Sequence, residues 1–97
     1  MTAQQIAQDF KEYMAKNGGS YNDWYVGITS DINQRLFTDH DVRENGDAWI
    51  HAPADTNNVA RSVEKYFLDL GCDGGTGGGD YTSKTVYTYK KNSHTNP

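Results

Sequence analysis

Four side chains on this 97-residue chain combine a reactive type with a suggestive place: Tyr25, Arg35, His40 and Glu64. Tyr25 alternates with Gly27 and Thr29 on one face of a strand read from Trp24 to Thr29. A tyrosine hydroxyl beside a bare glycine backbone lets a ligand or a neighbouring chain approach closely. Arg35 lies beside the Ile32–Leu36 stripe of a short helix read from Asp31 to Thr38. Glu64 falls on the shoulder of an apolar helix stripe, from which a carboxylate can reach a site beside the core.

Other chemical motifs fail on spacing. The glycine-rich stretch from Cys72 to Asp80 lacks the Gly-Lys-Ser/Thr of a phosphate loop. As a dinucleotide fingerprint starting at Gly75 and Gly77, its third glycine falls on Asp80. It reads as a flexible or tightly turned connector. The Asp41–Gly46 segment opens like a calcium loop, but Arg43 occupies the third ligand position. His40, His51 and His94 have no zinc-ligand spacing, and Cys72 is the single cysteine.

The elements that must position these groups are few. Ile6, Phe10, Tyr13 and Met14 recur on one face of a helix from Ala3 to Lys16, with Thr2 and Gln5 as a capping box. A short strand is expected at Ala48–Ala52, and Pro53 argues against its being central. Val59, Ala60, Val63, Tyr66, Phe67 and Leu70 make a wide stripe on a helix from Asn57 to Leu70, capped by Asp55 or Thr56 and ended by Gly71. Val86–Tyr89 alternates as a strand, and the polar tail from Lys90 is expected to fray.

Composition sets the frame. A chain of this length is one domain, 1–97, and buries about 60–65% of its unfolded surface. Its residues are 35% apolar and 23% charged, with a formal charge of −4. A basic nucleic-acid surface is therefore not the default reading, and any phosphate site must be local. Lys84, Lys90 and Lys91 give the last fourteen residues a charge of +3 with no acid among them. The start of the chain lacks a signal-peptide pattern, and no apolar run approaches membrane-spanning length. With the lone cysteine, this makes the cytoplasm the expected location.

The segment Tyr25-Val26-Gly27, then Arg35-Leu36 and His40, resembles the second half of the signature of the GIY-YIG nuclease superfamily. Trp49–Ile50 resembles the family's next strand. The helix from Asp55 through Val59 and Ala60 to Glu64 resembles the one carrying its metal-binding glutamate. The resemblance covers roughly residues 24 to 70. It implies that Tyr25 positions or activates the attacking water, that Arg35 clamps the scissile phosphate and that His40 assists proton transfer. It implies that Glu64 holds one divalent ion, Mg²⁺ or Mn²⁺. The family's first motif, Gly-Ile-Tyr on a neighbouring strand, is absent from its usual place, and His40 stands one residue late.

The expected fold is a small α+β domain, a mainly antiparallel three-stranded sheet flanked by three helices, with an N-terminal helix and a C-terminal strand extension. The expected function is a divalent-metal-dependent, endonuclease-like phosphodiester hydrolase acting on nucleic acid. A protein partner is expected to supply targeting, and no membrane is involved. The alternative is a non-catalytic binding or interaction module on a degenerate scaffold of the same kind. Read singly, Tyr25 is a packing residue, Arg35 pairs with Asp31 or Asp39, and Glu64 with Arg61. The catalytic reading requires Tyr25, Arg35 and Glu64 to converge on one open pocket. It also expects Val86–Tyr89 to pair with Trp24–Thr29, so that Tyr87 or Tyr89 stands in for the missing tyrosine.

Overall fold

The first helix, α1 (Ala3–Asn17), starts where Thr2 and Gln5 exchange hydrogen bonds and stops at Gly18, whose φ of 76° suits glycine. A single 3₁₀ turn, Tyr21–Asp23, leads into β1 (Trp24–Thr29). The remaining elements are β2 (Trp49–Pro53), α2 (Asn57–Leu70) and β3 (Thr85–Lys90). This computed structural model describes residues 1–75 and 82–97. The Cys72–Asp80 connector therefore lies partly outside the described residues.

The sheet is antiparallel throughout, in the order β1-β3-β2. The last strand of the chain is thus the central one. It pairs with β1 along its whole length, as expected, and with β2 on its other side. Pro53 accordingly sits on an edge strand, where its missing N–H costs no ladder bond. Register sets Gly27 and His51 on either side of Tyr87, and Tyr25 and Trp49 on either side of Tyr89.

Strand parity divides the sheet into two faces. Trp24, Val26, Ile28, Ala52 and Val86 pack with Ile6, Phe10 and Met14 of α1 and with Ala60, Val63 and Phe67 of α2. Each fully buried side chain of this size is worth about 1.5–3 kcal/mol of transfer free energy. The second face carries Tyr25, Tyr87 and Tyr89, covered by Leu36 and Val42 and flanked by Ile32, Phe37 and Trp49. Thr56 caps α2 through its hydroxyl, and Gly71 closes it in the left-handed conformation. Cys72–Gly75 then runs beside the outer edge of β1, where Asp73 exchanges backbone bonds with Trp24 and Val26 at 2.8 and 2.9 Å. Among the described residues no helix is long and apolar enough to cross a membrane.

Two expectations need correction. The segment read as a short α-helix is a π-helical turn over Gln34–Asp39, closed by a bond from the His40 N–H to the Arg35 carbonyl at 3.0 Å. The tail does not fray. Asn92 and His94 bond the Asp47 carboxylate at 2.9 and 2.6 Å, and the Asn96 N–H bonds the His40 carbonyl at 2.7 Å. A polar sequence read as solvated is polar because its partners are a carboxylate and backbone groups.

Candidate functional site

The Tyr87 hydroxyl is the hub of the aromatic face. Its ring lies over Gly27 of the neighbouring strand, and a Cβ added there would fall on the Tyr87 hydroxyl and 2.9 Å from Cε1. Glycine is required at this position for the ring to lie flat. His40 Nε2 is 2.8 Å from the Tyr87 oxygen, and Arg35 Nε donates to the same oxygen across a longer 3.4 Å. Tyr25 completes the cluster by ring contact, with centroids 4.5 Å from His40, 5.3 Å from Tyr89 and 6.3 Å from Tyr87.

The π-helical turn sets the spacing of Arg35 and His40. An i→i+5 turn absorbs one extra residue, so His40 and Arg35 meet the same hydroxyl although they stand five apart. The tail then fixes the imidazole. His40 Nδ1 lies 2.8 Å from the Asn96 carbonyl, which can only accept, so Nδ1 carries the proton. The Tyr89 oxygen shares that N–H at 3.1 Å. In the neutral ring Nε2 is then bare and accepts from the Tyr87 O–H. Burial holds His40 below the usual histidine range, and the Arg35 charge adds to the push. Both keep the ring neutral.

Electrostatics on the tyrosines run the other way. Burial pushes Tyr87 up to about 12, against the hydrogen bond from Arg35. Burial also raises Tyr25, partly countered by a hydrogen bond from the Gly75 backbone and by the Arg35 charge. Arg35 is held further in its charged form by Tyr87, and its guanidinium reaches Asp39 at 3.5 Å.

Glu64 approaches from a different direction. Its helix packs on the opposite face of the sheet. Four residues on, Leu68 lies on the same flank of α2, and a Cβ at Gly74 would meet both its Cδ2 at 2.6 Å and the Val26 carbonyl at 3.0 Å. That flank therefore borders the Cys72–Gly75 segment that covers the outer edge of β1. Glu64 is half-buried there, and its charge helps raise both Tyr25 and Tyr87. Burial pushes its own carboxyl up, with the Arg61 charge opposing. Arg61 Nε is bonded to Asn57.

The structure brings Tyr25, Arg35 and His40 into one cluster, while Glu64 stands on α2, which packs on the opposite face of the sheet, so the expected convergence of Tyr25, Arg35 and Glu64 on one open pocket is not what it shows. The cluster is closed rather than an open pocket. Tyr87 and Tyr89 are fully buried and Tyr25 is 5% exposed, whereas the Arg35 side chain is 36% exposed. Of the tail lysines, Lys90 bonds the Asn17 carbonyl and Lys91 pairs with Asp73. Sequence reasoning admitted Tyr87 as a substitute tyrosine but missed Asn96 and Asp47. The alternation of Val86–Tyr89 was the signal for Tyr87; a tail of isolated polar residues offered none for the other two. Comparisons with known protein families, curated proteins and solved structures find no match to this chain.

Proposed function

We propose that this chain is a divalent-metal-dependent phosphodiester hydrolase acting on nucleic acid, built from GIY-YIG-like parts in a changed order. In this reading β3 occupies the place of the missing first-motif strand and Tyr87 that of its tyrosine. One observation carries it: the Tyr87 hydroxyl sits between an imidazole acceptor and a guanidinium donor, over a strand glycine.

Proton transfer then follows the tautomer. Tyr87 is completely buried, so the step requires the cluster to open to solvent; Tyr87 then takes a proton from the attacking water as its own passes to His40 Nε2, and the Asn96 carbonyl stabilises the imidazolium through Nδ1. Arg35, the more exposed partner, binds the non-bridging phosphate oxygens and offsets charge growing on them. Tyr25 packs against both rings and holds their spacing.

Glu64 is the residue to hold the ion. Among the described residues no group of three His, Cys, Asp or Glu forms a metal cage. A single half-buried carboxylate fits Mg²⁺ or Mn²⁺, because Mg²⁺ commonly takes one or two carboxylates and completes its shell with water and substrate phosphate oxygens. When bound, such an ion neutralises the leaving oxygen. The net charge of −4 gives no general attraction to polyanionic nucleic acid, so a partner protein is proposed to deliver the domain. A cytoplasmic setting is part of the same proposal. Cys72 is buried there, with its thiol pushed up to about 11, which disfavours the reactive thiolate.

The test is cleavage of labelled single-stranded and duplex DNA and RNA with Mg²⁺, with Mn²⁺ and with chelator. Cleavage is expected only with a metal ion. Glu64→Ala is expected to abolish it while leaving the unfolding midpoint unchanged, since alanine favours helix. Metal-independent cleavage, or full activity in the variant, overturns the mechanism. A second reading, a non-catalytic binding module, is favoured by the complete burial of Tyr87, which leaves no path for water in this conformation. Binding without cleavage of any of these substrates selects it.

A further inference from the structure

Beyond Tyr87 in the sheet order, β2 presents two more rings on the same face. His51 stands opposite Tyr87 and Trp49 opposite Tyr89. Unlike the buried tyrosines, His51 is exposed and Trp49 half-buried. Their planes lie within 5° of parallel, with centroids 5.9 Å apart.

Trp49 is fixed from several sides. Its backbone N–H donates to the Tyr13 hydroxyl at 2.9 Å and its indole N–H to the Glu44 carbonyl at 3.1 Å. Phe37 meets it edge-on at 5.1 Å. The indole is thus a rigid backing, and His51, standing beside it in nearly the same orientation, extends a flat aromatic surface toward solvent. The stacked pair stabilises the fold modestly and leaves part of the His51 ring open to solvent. A ligand with a flat π-face gains a preorganised platform.

The position of the platform names the ligand. Tyr87 lies between His51 on one neighbouring strand and Gly27 on the other, and Arg35 reaches the Tyr87 hydroxyl at 3.4 Å. Adjacent strands are about 4.8 Å apart. The Tyr87 hydroxyl leans over Gly27, two strand spacings or about 10 Å from His51, so a phosphate at Arg35 leaves the adjoining nucleoside of the same strand within reach of His51. In a duplex both faces of each base are already stacked, so an exposed ring on a sheet can engage only a base that has left the stack.

We propose that His51, backed by Trp49, stacks an unpaired nucleobase of the strand whose phosphate is held at Arg35. This assignment rests on the phosphodiester-hydrolase reading and adds its substrate class: single-stranded or locally unpaired nucleic acid, engaged with little base preference because every base has a π-face.

The experiment is fluorescence anisotropy with end-labelled oligothymidylate and oligouridylate of about ten nucleotides, and with a blunt duplex of the same length, in chelator so that no cleavage intervenes. Wild-type protein is expected to bind one or both single strands more tightly than the duplex. His51→Ala is expected to weaken that binding roughly 5- to 100-fold, and His51→Phe to retain it. Because His51 is exposed, neither variant threatens folding. Unchanged single-strand affinity in His51→Ala, or equal affinity for duplex, overturns the platform and leaves the hydrolase reading standing. Failure of the wild-type protein to bind any of the three probes overturns the platform, and the cleavage assay with Mg²⁺ and Mn²⁺ tests the hydrolase reading separately.

Discussion

The two faces of the sheet are made by the same three strands and hold together in different ways. On the helix-covered face, Val26, Ile28, Val86, Phe10 and Phe67 are fully buried and offer nothing to bond. On the other, Tyr87 and Tyr89 are as deeply buried and His40 nearly so, and each carries a polar atom that needs a partner. All find one: among the described residues no buried side-chain nitrogen or oxygen is unpaired. The first face tolerates any filling of the right volume. The second is determined atom by atom, since an unmet hydroxyl or ring nitrogen in a dry site costs about 1–3 kcal/mol. That makes the second face the expensive place to change chemistry and the first the expensive place to change size.

The largest effect tests size. Phe67 is fully buried, with its ring centroid 5.8 Å from Phe10. Phe67→Ala is expected to cost about 3–5 kcal/mol, read as a lowered urea midpoint. Tyr87→Phe keeps the ring and removes one oxygen. It leaves His40 Nε2 bare and is expected to cost about 1–2 kcal/mol. Equal losses in the two variants would erase the distinction between the faces.

Gly27→Ala comes next and makes size intrude on the polar face. The new methyl would press on the Tyr87 ring from the adjacent strand. Overpacking of this kind costs about 1–3 kcal/mol. The ring must move, and with it the hydroxyl between His40 and Arg35. A shifted His40 Nε2 resonance in ¹⁵N NMR is expected together with the destabilisation. Loss of stability with an unmoved imidazole signal would show that the hydroxyl is not placed by the glycine.

The helix-covered face was the more legible in sequence, because it is written in periods. The stripe from Val59 to Leu70 marked α2 over Asn57–Leu70, and alternation marked β1 over Trp24–Thr29. Pro53 placed β2 at an edge. The α+β class followed from these. The polar face depends on facts that no period records. Nothing local in Thr85–Lys90 says that the last strand inserts between the first two. Ile32 and Leu36 suit an α-helix, and the wider turn that brings His40 back to Arg35 shows only in the bond to the Arg35 carbonyl. Asn96 meets His40 through backbone atoms, which carry no residue signal. Tyr25, Arg35 and His40 were legible as types at a spacing, and alternation offered Tyr87 or Tyr89 beside Tyr25; that the Tyr87 hydroxyl takes both His40 and Arg35 was not.

The smallest effect asks whether the polar face depends on protonation where the apolar one cannot. His40 is held below its ordinary value of 6.5, chiefly by burial and next by the Arg35 charge; the Asn96 carbonyl and Asp39 pull the other way. An unfolded chain recovers the ordinary value. Below about pH 6.5 the unfolded state therefore binds the proton first, and folding loses free energy as pH falls toward the depressed value. Above that window His40 is neutral in both states and contributes no slope. One proton sets a ceiling of about 1.4 kcal/mol per pH unit. Glu64, pushed up by burial, acts in the opposite sense just above its ordinary carboxyl range, so the raw profile mixes two slopes. Comparing the wild-type protein with His40→Gln by urea unfolding between pH 5 and pH 7.5 removes the shared Glu64 contribution. The wild type is expected to lose stability relative to the variant as pH falls below about 6.5 and to run parallel to it above. A difference that stays flat across the whole range would mean that the imidazole takes up its proton without leaving its place, and that this face tolerates charge as well as hydroxyls.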